Sequence, residues 1–231
     1  MNEPLASMRK PLTIAPYRAA LLCIDLQEEH RKDERLLAVG FDKVIANVQR
    51  LQNTARKNGI RLYHFAYIVD AVASLPHHPR LPDGRSAFSD KDDPLTAICP
   101  EVAPAEGERL IIKSEASAFG TGFGDELKAA GLEWLFICGV WTEACVDATV
   151  KAALKLGFRV VLVKDACGSG SVAMHRTGVL NLANRLYGGA IVGTDGACSL
   201  MAGETITAWR PDRPVPLRFG FEDASELYDG L

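Results

Sequence analysis

The chain has 231 residues, a charged fraction of 24% and a formal net charge of -3 at pH 7, values that are ordinary for one globular domain with a sizeable core. No basic stripe is present to bind phosphates, which argues against nucleic acid as a main partner. No apolar run reaches the roughly 20 residues that span a membrane, so a membrane is not an expected partner either.

The amino-terminal segment and the cysteines predict the compartment. Residues 1–7 lack the basic head and the apolar stretch of a signal peptide. Of the six cysteines, Cys23 and Cys138 fall in apolar runs, where a free cysteine behaves as a small hydrophobic residue. We therefore predict reduced thiols and a cytoplasmic location. No Cys or His pair has the spacing of a metal site.

One unit recurs along the chain, namely a helix, a glycine and an apolar strand. Six strands are predicted, at residues 19–24, 60–66, 109–112, 134–140, 158–163 and 190–192. The helix before the second strand has one apolar face, formed by Val44, Ile45, Val48, Leu51 and Ala55. Apolar strands that alternate with helices indicate an α/β fold with three α/β/α layers and a doubly wound, six-stranded, mostly parallel sheet.

Two regions depart from this unit. Residues 70–108 are rich in Pro, His and Asp and predict a long loop with little regular structure, which is often functional in other proteins. Residues 205–231 form a proline-rich tail that packs either on this domain or on another subunit. We predict a single domain over residues 1–231, with its core at about 18–204. Whether the loop or the tail closes a site is left open.

Three polar residues lie at or just beyond the carboxyl ends of predicted strands. Asp25 ends the first strand, Lys113 ends the third, and Cys145 follows the strand that ends at Val140. Because ligands bind beyond the carboxyl ends of parallel strands, we expect the three side chains to converge there. An acid, a base and a thiol make a nucleophile set. Singly, each has a plainer interpretation, as a turn residue, a solvated lysine or a packed cysteine.

Cys145 also lies at the start of a predicted helix. Unpaired N–H groups at a helix start favour a thiolate over a thiol, and the same groups can hold a substrate oxyanion. The sequence therefore predicts an activated thiol at this edge of the sheet.

Three segments carry a family resemblance, in this order: Ile-Asp-Leu-Gln at 24–27, Ile-Lys-Ser-Glu-Ala-Ser-Ala-Phe at 112–119 with Thr121, and Gly-Val-Trp-Thr-Glu-Ala-Cys-Val at 139–146. Over roughly residues 18–200 the chain resembles the isochorismatase-like cysteine hydrolases. These include nicotinamidases, carbamoylsarcosine-type amidohydrolases and ureidoacrylate hydrolases. The resemblance implies a Rossmann-like fold, no cofactor, a homo-oligomer (dimer or tetramer) and a small amide as substrate.

The resemblance also implies roles for individual residues. Asp25, Lys113 and Cys145 would form a catalytic triad, and the Val140–Trp141 peptide bond would be cis. The N–H groups of Trp141 and Cys145 would form an oxyanion hole. The expected function is cleavage of a C–N bond in an amide or in a carbamoyl or ureido compound, through a thioester. Cys145 argues against vinyl-ether cleavage, since true isochorismatases lack this nucleophile.

Candidate substrate-binding residues follow from their position near the triad. They are Gln27, Phe119 and Trp141. The plainer interpretation is a backbone hydrogen bond for Gln27 and ordinary packing for Phe119. His30, where family members often carry an aromatic residue, faces either the pocket or solvent.

The sequence departs from the metal site of nicotinamidases, which carry an Asp-x-His…His pattern after the second strand. Asp70 has no histidine two residues on, and the adjacent His77 and His78 have the wrong spacing. We therefore predict no metal. A metal-assisted nicotinamidase-like amidase stays an alternative, as does a catalytically silent binding protein. A nucleotide-dependent oxidoreductase is disfavoured because the turn after the first strand is not glycine-rich.

Overall fold

The computed structural model describes residues 3–231; residues 1 and 2, at the start of the predicted domain and of the segment read for a signal peptide, lie outside the described residues. The strands are β1 (Arg9–Leu12), β2 (Ala19–Ile24), β3 (Arg61–Tyr67), β4 (Arg109–Lys113), β5 (Trp134–Val140), β6 (Arg159–Gly168), β7 (Ala190–Val192) and β8 (Ile206–Trp209). The α-helices are α1 (Glu3–Ser7), α2 (Glu29–Lys32), α3 (Phe41–Lys57), α4 (Phe123–Ala129), α5 (Asp147–Lys155), α6 (Val172–Ala183), α7 (Thr194–Met201) and α8 (Ala224–Asp229).

All of these strands form one sheet in the order β1-β8-β7-β6-β5-β2-β3-β4. The six strands from β7 to β4 are parallel, while β8 is antiparallel to β7 and β1 is antiparallel to β8. The predicted α/β fold with a mostly parallel sheet is confirmed, but the sheet has eight strands rather than six. Both extra strands have only four residues, and β1 contains Pro11, which an edge strand tolerates.

Helices cover both faces of the sheet. The apolar face predicted for α3 is buried, and with α7 it packs on one side of the sheet. Side chains of α4, α5 and α6 form a second core on the opposite side. Burial of apolar side chains on both faces explains why inner strands such as β2 and β5 read as continuous apolar runs, whereas Leu110 and Ile112 of the edge strand β4 are exposed. The three-layer α/β/α architecture is therefore as predicted.

The tail packs on its own domain, which is one of the two arrangements left open by the sequence. Leu217, Leu227 and Leu231 are buried in the core beside α6. The side chain of Asn184 donates to the Leu217 carbonyl at 2.7 Å and accepts from the Leu217 N–H at 2.9 Å. With β1 and β8 in the sheet, the packed core extends beyond the predicted bounds of 18–204.

Three further observations concern the predicted loop, the helices and the cysteines. Regular structure in residues 70–108 is limited to two short 3-10 turns, Pro94–Thr96 and Pro100–Val102, in keeping with a long loop. Across residues 3–231, every helix is too short or too polar to cross a membrane. The six cysteine side chains are all free thiols.

Candidate active site

The two central strands end side by side at the point where Asp25 leaves the sheet. Ile24 pairs with Gly139, whose φ is 126°, and a Cβ added to Gly139 would lie 2.0 Å from the Ile24 carbonyl oxygen. Glycine is therefore required there. Asp25 itself has a φ of 50°, a left-handed conformation that Asp adopts more readily than most residues, and its N–H donates to the Phe65 carbonyl at 3.0 Å. This turn places the carboxyl group at the carboxyl edge of the sheet.

Lys113 forms a buried ion pair with Asp25. Its Nζ lies 2.7 Å from Oδ2 of Asp25 and also donates to the carbonyls of Glu115 and Ala116, at 3.1 and 3.2 Å. These contacts use the three protons of the ammonium group. The ring of Tyr67, which pairs with Lys113 across β3 and β4, lies 4.6 Å from Nζ. Asp25 Oδ1 is buried and has no hydrogen-bond partner in the described part of the chain.

Cys145 lies in the tight turn that joins β5 to α5. The Val140–Trp141 peptide bond is cis, and residues Thr142–Val146 form one π-helical turn. The carbonyl of Trp141 accepts from the N–H of Ala144 at 3.0 Å and from that of Val146 at 3.2 Å, the residues on either side of Cys145. The thiol therefore sits on a backbone that is fixed on both sides.

A chain of hydrogen bonds anchors the start of this turn to the tail. The Thr142 hydroxyl donates to the Gly168 carbonyl at 3.0 Å, so it accepts from Nδ1 of His175, 2.8 Å away. Nε2 of His175 then accepts from the Tyr228 hydroxyl at 2.9 Å. Burial lowers the pKa of His175 to about 4, which matches this neutral tautomer. The carboxyl-terminal helix is thus connected to the turn that carries the thiol.

Electrostatics at the site differ from the sequence prediction of an ionised thiol. Burial, and then the negative charge of Asp25, raise the pKa of the Cys145 thiol to about 12, and Lys113 only partly opposes them. Burial also raises the pKa of Asp25 above its usual range, with Lys113 acting against that shift. Burial therefore disfavours the charged form of both groups, and the resting thiol of Cys145 is neutral at physiological pH.

A cavity of about 250 Å³ opens onto this pair. Its walls come from the strand ends, α2 and the segment after it, the 142–146 turn and the 70–108 loop. They consist of Asp25, Glu29, His30, Leu36, Tyr67, Phe88, Ser89, Val140, Trp141, Ala144 and Cys145. The loop thus contributes to the cavity, whereas the tail lines a separate surface depression. The volume suits a small molecule, since pockets for drug-sized ligands measure about 300–1,000 Å³.

Of the predicted substrate-binding residues, only Trp141 lines the cavity, where its Nε1 lies 3.3 Å from Nδ1 of His30. Gln27 is placed elsewhere, because its amide accepts from the N–H of Tyr67 at 2.8 Å and donates to the carbonyl of Tyr67 at 3.0 Å. Phe119 packs on the aromatic rings of Phe123 and Phe158 in the core. Gln27 and Phe119 therefore lie outside the cavity lining, with the backbone hydrogen bonds and the packing of their plainer interpretations, and their contact with substrate stays a prediction.

The three histidines of uncertain role lie in different places. His30 is buried and lines the cavity, and burial lowers its pKa to about 4, so it is neutral at physiological pH. His78 bonds Ser86 at 2.7 Å, and His77 is exposed. Within residues 3–231, no three His, Cys, Asp or Glu side chains are grouped so that they can hold a metal ion.

Comparison with known proteins assigns the chain to a family. The model of the Isochorismatase domain matches residues 19–195, which is most of the chain. The chain belongs to the isochorismatase family. It is 24% identical over 184 residues to the ureidoacrylate amidohydrolase RutB of Rhizobium rhizogenes, a match that covers 70% of this chain and 75% of RutB. It is 31% identical over 104 residues to the maleamate amidohydrolase of Pseudomonas putida, covering 45% of this chain and 48% of that protein.

A solved structure shows the same fold. A cysteine hydrolase from Pseudomonas syringae superposes with a TM-score of 0.73 over 84% of this chain and 98% of that one, at 18% sequence identity. At that identity the likeness establishes the fold alone.

Sequence reasoning missed several residues of this isochorismatase-family cavity, above all Glu29, Tyr67 and Ser89. Tyr67 had a usable signal, because it ends β3 at the same sheet edge as Asp25 and Lys113. Glu29 lies only four residues beyond Asp25, but its buried state depends on hydrogen bonds from Ser89 of the distant loop. No local pattern reveals that contact.

Proposed function

We propose that this chain is a cysteine-dependent amidohydrolase that cleaves a C–N bond of a small amide, carbamoyl or ureido compound through a thioester. The observation that carries this proposal is the buried contact between Lys113 and Asp25, together with the fact that Asp25 and Cys145 line the same small cavity. Family members named for maleamate and ureidoacrylate hydrolysis support the reaction class. A homo-oligomeric state and a cytoplasmic location stay predictions.

In the proposed mechanism, Asp25 acts first as a base and then as an acid. The Cys145 thiol gives its proton to Asp25 as sulfur attacks the carbonyl carbon of the substrate. The N–H groups of Trp141 and Cys145 stabilise the oxyanion, and one such donor is typically worth about 3–4 kcal/mol. The C–N bond then breaks, Asp25 returns the proton to the leaving nitrogen, and a thioester remains.

Hydrolysis of the thioester repeats the proton transfer with water. Asp25 takes a proton from water as the oxygen attacks, the C–S bond breaks, and the proton returns to the sulfur. Lys113 keeps Asp25 ionised between these steps, since its positive charge offsets part of the effect of burial on the pKa of the carboxyl group. The unpartnered Oδ1 of Asp25 is the atom that receives the proton in both half-reactions.

Ammonia release from a panel of small amides and ureido compounds tests this proposal. We expect turnover by the unchanged protein and a loss of at least about 10⁴-fold in Cys145→Ala and Cys145→Ser, because a hydroxyl is much harder to deprotonate. Cys198→Ser, at the other partly exposed cysteine, is the matched control and should keep full activity. Mass spectrometry of the enzyme mixed with excess substrate should reveal an acyl group on Cys145.

Three results would contradict the proposal. Near-normal rates in either Cys145 variant would exclude covalent catalysis by this thiol. Loss of turnover after chelation, with recovery on adding a metal, would instead favour the metal-assisted amidase. If no compound of the panel is hydrolysed and no acyl group forms on Cys145, the silent binding protein is the better description.

A further inference from the structure

The cavity has an acidic far wall that the proposed chemistry does not use. Glu29 is only 4% exposed and lines the same cavity as Cys145. Its two carboxylate oxygens accept from the hydroxyl and the N–H of Ser89, at 2.6 and 3.0 Å. Each oxygen retains a second lone pair, so the group can still accept hydrogen bonds from a ligand. A carboxylate this buried is costly unless it has a partner.

No cation among the described residues offsets Glu29 inside the cavity. The lining contains the carboxyl groups of Asp25 and Glu29 and no Lys or Arg. Asp25 is neutralised by Lys113, whose ammonium protons are all engaged. His30, with Nε2 3.9 Å from a Glu29 oxygen, is neutral at physiological pH because burial lowers its pKa to about 4.

The surroundings of Glu29 outside the cavity are acidic as well. Burial has the largest effect on Glu29 and raises its pKa, whereas the hydrogen bonds from Ser89 lower it. The nearby charges of Asp93 and Asp33 raise the pKa of Glu29 as well. Arg35 and Arg85 lie in the cleft behind Glu29, but each is paired with a neighbouring aspartate, Asp33 or Asp83. The groups around Glu29 therefore bring no unpaired positive charge to this wall among the described residues.

We propose that Glu29 selects the substrate: the cavity accepts amides whose other end carries an ammonium or another hydrogen-bond donor, and it rejects those that carry a carboxylate there. This inference rests on the proposed function for its chemistry. Its physical basis is separate, because a buried carboxylate attracts a cation and repels an anion whether or not the thiol is catalytic. Tyr67, Phe88 and Trp141 also line the cavity and supply aromatic surface.

Charged thiol reagents measure this selectivity without any turnover. The rates at which Cys145 reacts with cationic 2-aminoethyl and anionic 2-sulfonatoethyl methanethiosulfonate are compared, with 2-mercaptoethanol as the reference thiol. The ratio of the two rates cancels the ionised fraction of the thiol. We expect the protein to favour the cationic reagent by about tenfold or more over the reference, because about 1.4 kcal/mol corresponds to a factor of ten.

Three variants assign that preference to one carboxylate. Glu29→Gln keeps the shape and a hydrogen bond from Ser89, and its ratio should fall to within about threefold of the reference. Ser89→Ala disturbs the same contact but retains the charge, so its cation preference should persist. Glu34→Gln removes an equal charge from an exposed neighbour and should change nothing. Thermal unfolding of each variant checks that the fold is retained.

Hydrolysis of three amides of matched length then extends the test to substrates. They are 3-aminopropanamide, butanamide and succinamate, which end in an ammonium, a methyl and a carboxylate group. We expect kcat/KM to be highest for the cation and lowest for the anion, with the difference removed in Glu29→Gln. An unchanged reagent ratio in Glu29→Gln, or a preference for succinamate, would overturn this inference and leave the proposed hydrolase standing. Turnover that survives in Cys145→Ala would contradict the proposed hydrolase mechanism. It would leave unaffected the ratio of the rates at which Cys145 reacts with the cationic and anionic reagents.

Discussion

The ammonium of Lys113 bonds one carboxylate oxygen of Asp25 and leaves the other, Oδ1, without a partner among residues 3–231. The same ammonium holds two carbonyls of the loop that follows β4. One buried cation therefore offsets part of the effect of burial on the pKa of Asp25 and also contacts the backbone that follows β4. In the proposed mechanism, the free oxygen of Asp25 is the one that exchanges protons with Cys145.

Breaking this ion pair from one side should destabilise the fold strongly. Lys113→Met leaves a buried carboxylate without a partner, and we expect the free energy of unfolding to fall by about 3–5 kcal/mol. Asp25→Asn should cost less, since an amide can still accept from the ammonium. In the double variant, the free energy of unfolding should fall by less than the sum of the two single losses, as measured by urea denaturation at pH 7.

The control is Arg109→Met, which breaks an exposed pair with Glu126 and should lower the free energy of unfolding by less than about 1 kcal/mol. Losses that simply add would show that the pair does not act as a unit.

The raised pKa of Cys145 predicts an unusual response to alkylation. Because the thiol has a pKa of about 12, its rate with iodoacetamide should keep rising above pH 9 instead of reaching a plateau near neutrality. Asp25→Asn removes the charge that raises this pKa while Lys113 remains. At pH 8 this variant should therefore alkylate several-fold faster than the unchanged protein, although it no longer hydrolyses amides. Site-resolved mass spectrometry separates Cys145 from Cys198.

Slower alkylation in Asp25→Asn would mean that the carboxylate already activates the thiol in the resting enzyme. Lys113→Met provides the opposite control, because removing the positive charge should slow the reaction further. The two variants change the charge next to one sulfur in opposite directions, so their effects on alkylation should have opposite signs.

Topology explains which part of the site was predictable. Asp25, Lys113 and Cys145 each follow an apolar strand, and parallel strands bring their carboxyl ends to one edge. Side-chain direction was not predictable in the same way. Gln27 is two residues from Asp25, yet it bonds the backbone of Tyr67, a contact that depends on how β3 lies beside the turn. The position of Glu29 depends on a hydrogen bond from Ser89, which is sixty residues away in the sequence. No pattern of apolar and polar residues predicts that contact.

Gly139 should tolerate no side chain. An added Cβ would lie 2.0 Å from the Ile24 carbonyl oxygen, and a φ of 126° is unfavourable for alanine as well. We expect Gly139→Ala to lower the free energy of unfolding by more than about 3 kcal/mol and to displace Asp25. Gly157→Ala has a positive φ of 89° with open space around it, so its cost should stay near 1 kcal/mol. Equal losses of stability in the two variants would show that β2 and β5 can move apart enough to admit a methyl group at Gly139.

The tail should influence the Cys145 thiol through Tyr228. The Tyr228 hydroxyl is hydrogen-bonded to His175, and His175 is hydrogen-bonded in turn to Thr142 at the start of the 142–146 turn. Tyr228→Phe removes one neutral hydrogen bond and should lower the free energy of unfolding by about 1 kcal/mol. Because His175 then loses the partner of its Nε2, we also expect a several-fold lower kcat with KM nearly unchanged, and a changed alkylation rate of Cys145 at fixed pH. Tyr17→Phe, at a tyrosine that is 79% exposed, is the matched control and should leave all three quantities unchanged. If Tyr228→Phe alters stability but neither kcat nor the alkylation rate, the chain of hydrogen bonds holds the tail in place without positioning the nucleophile.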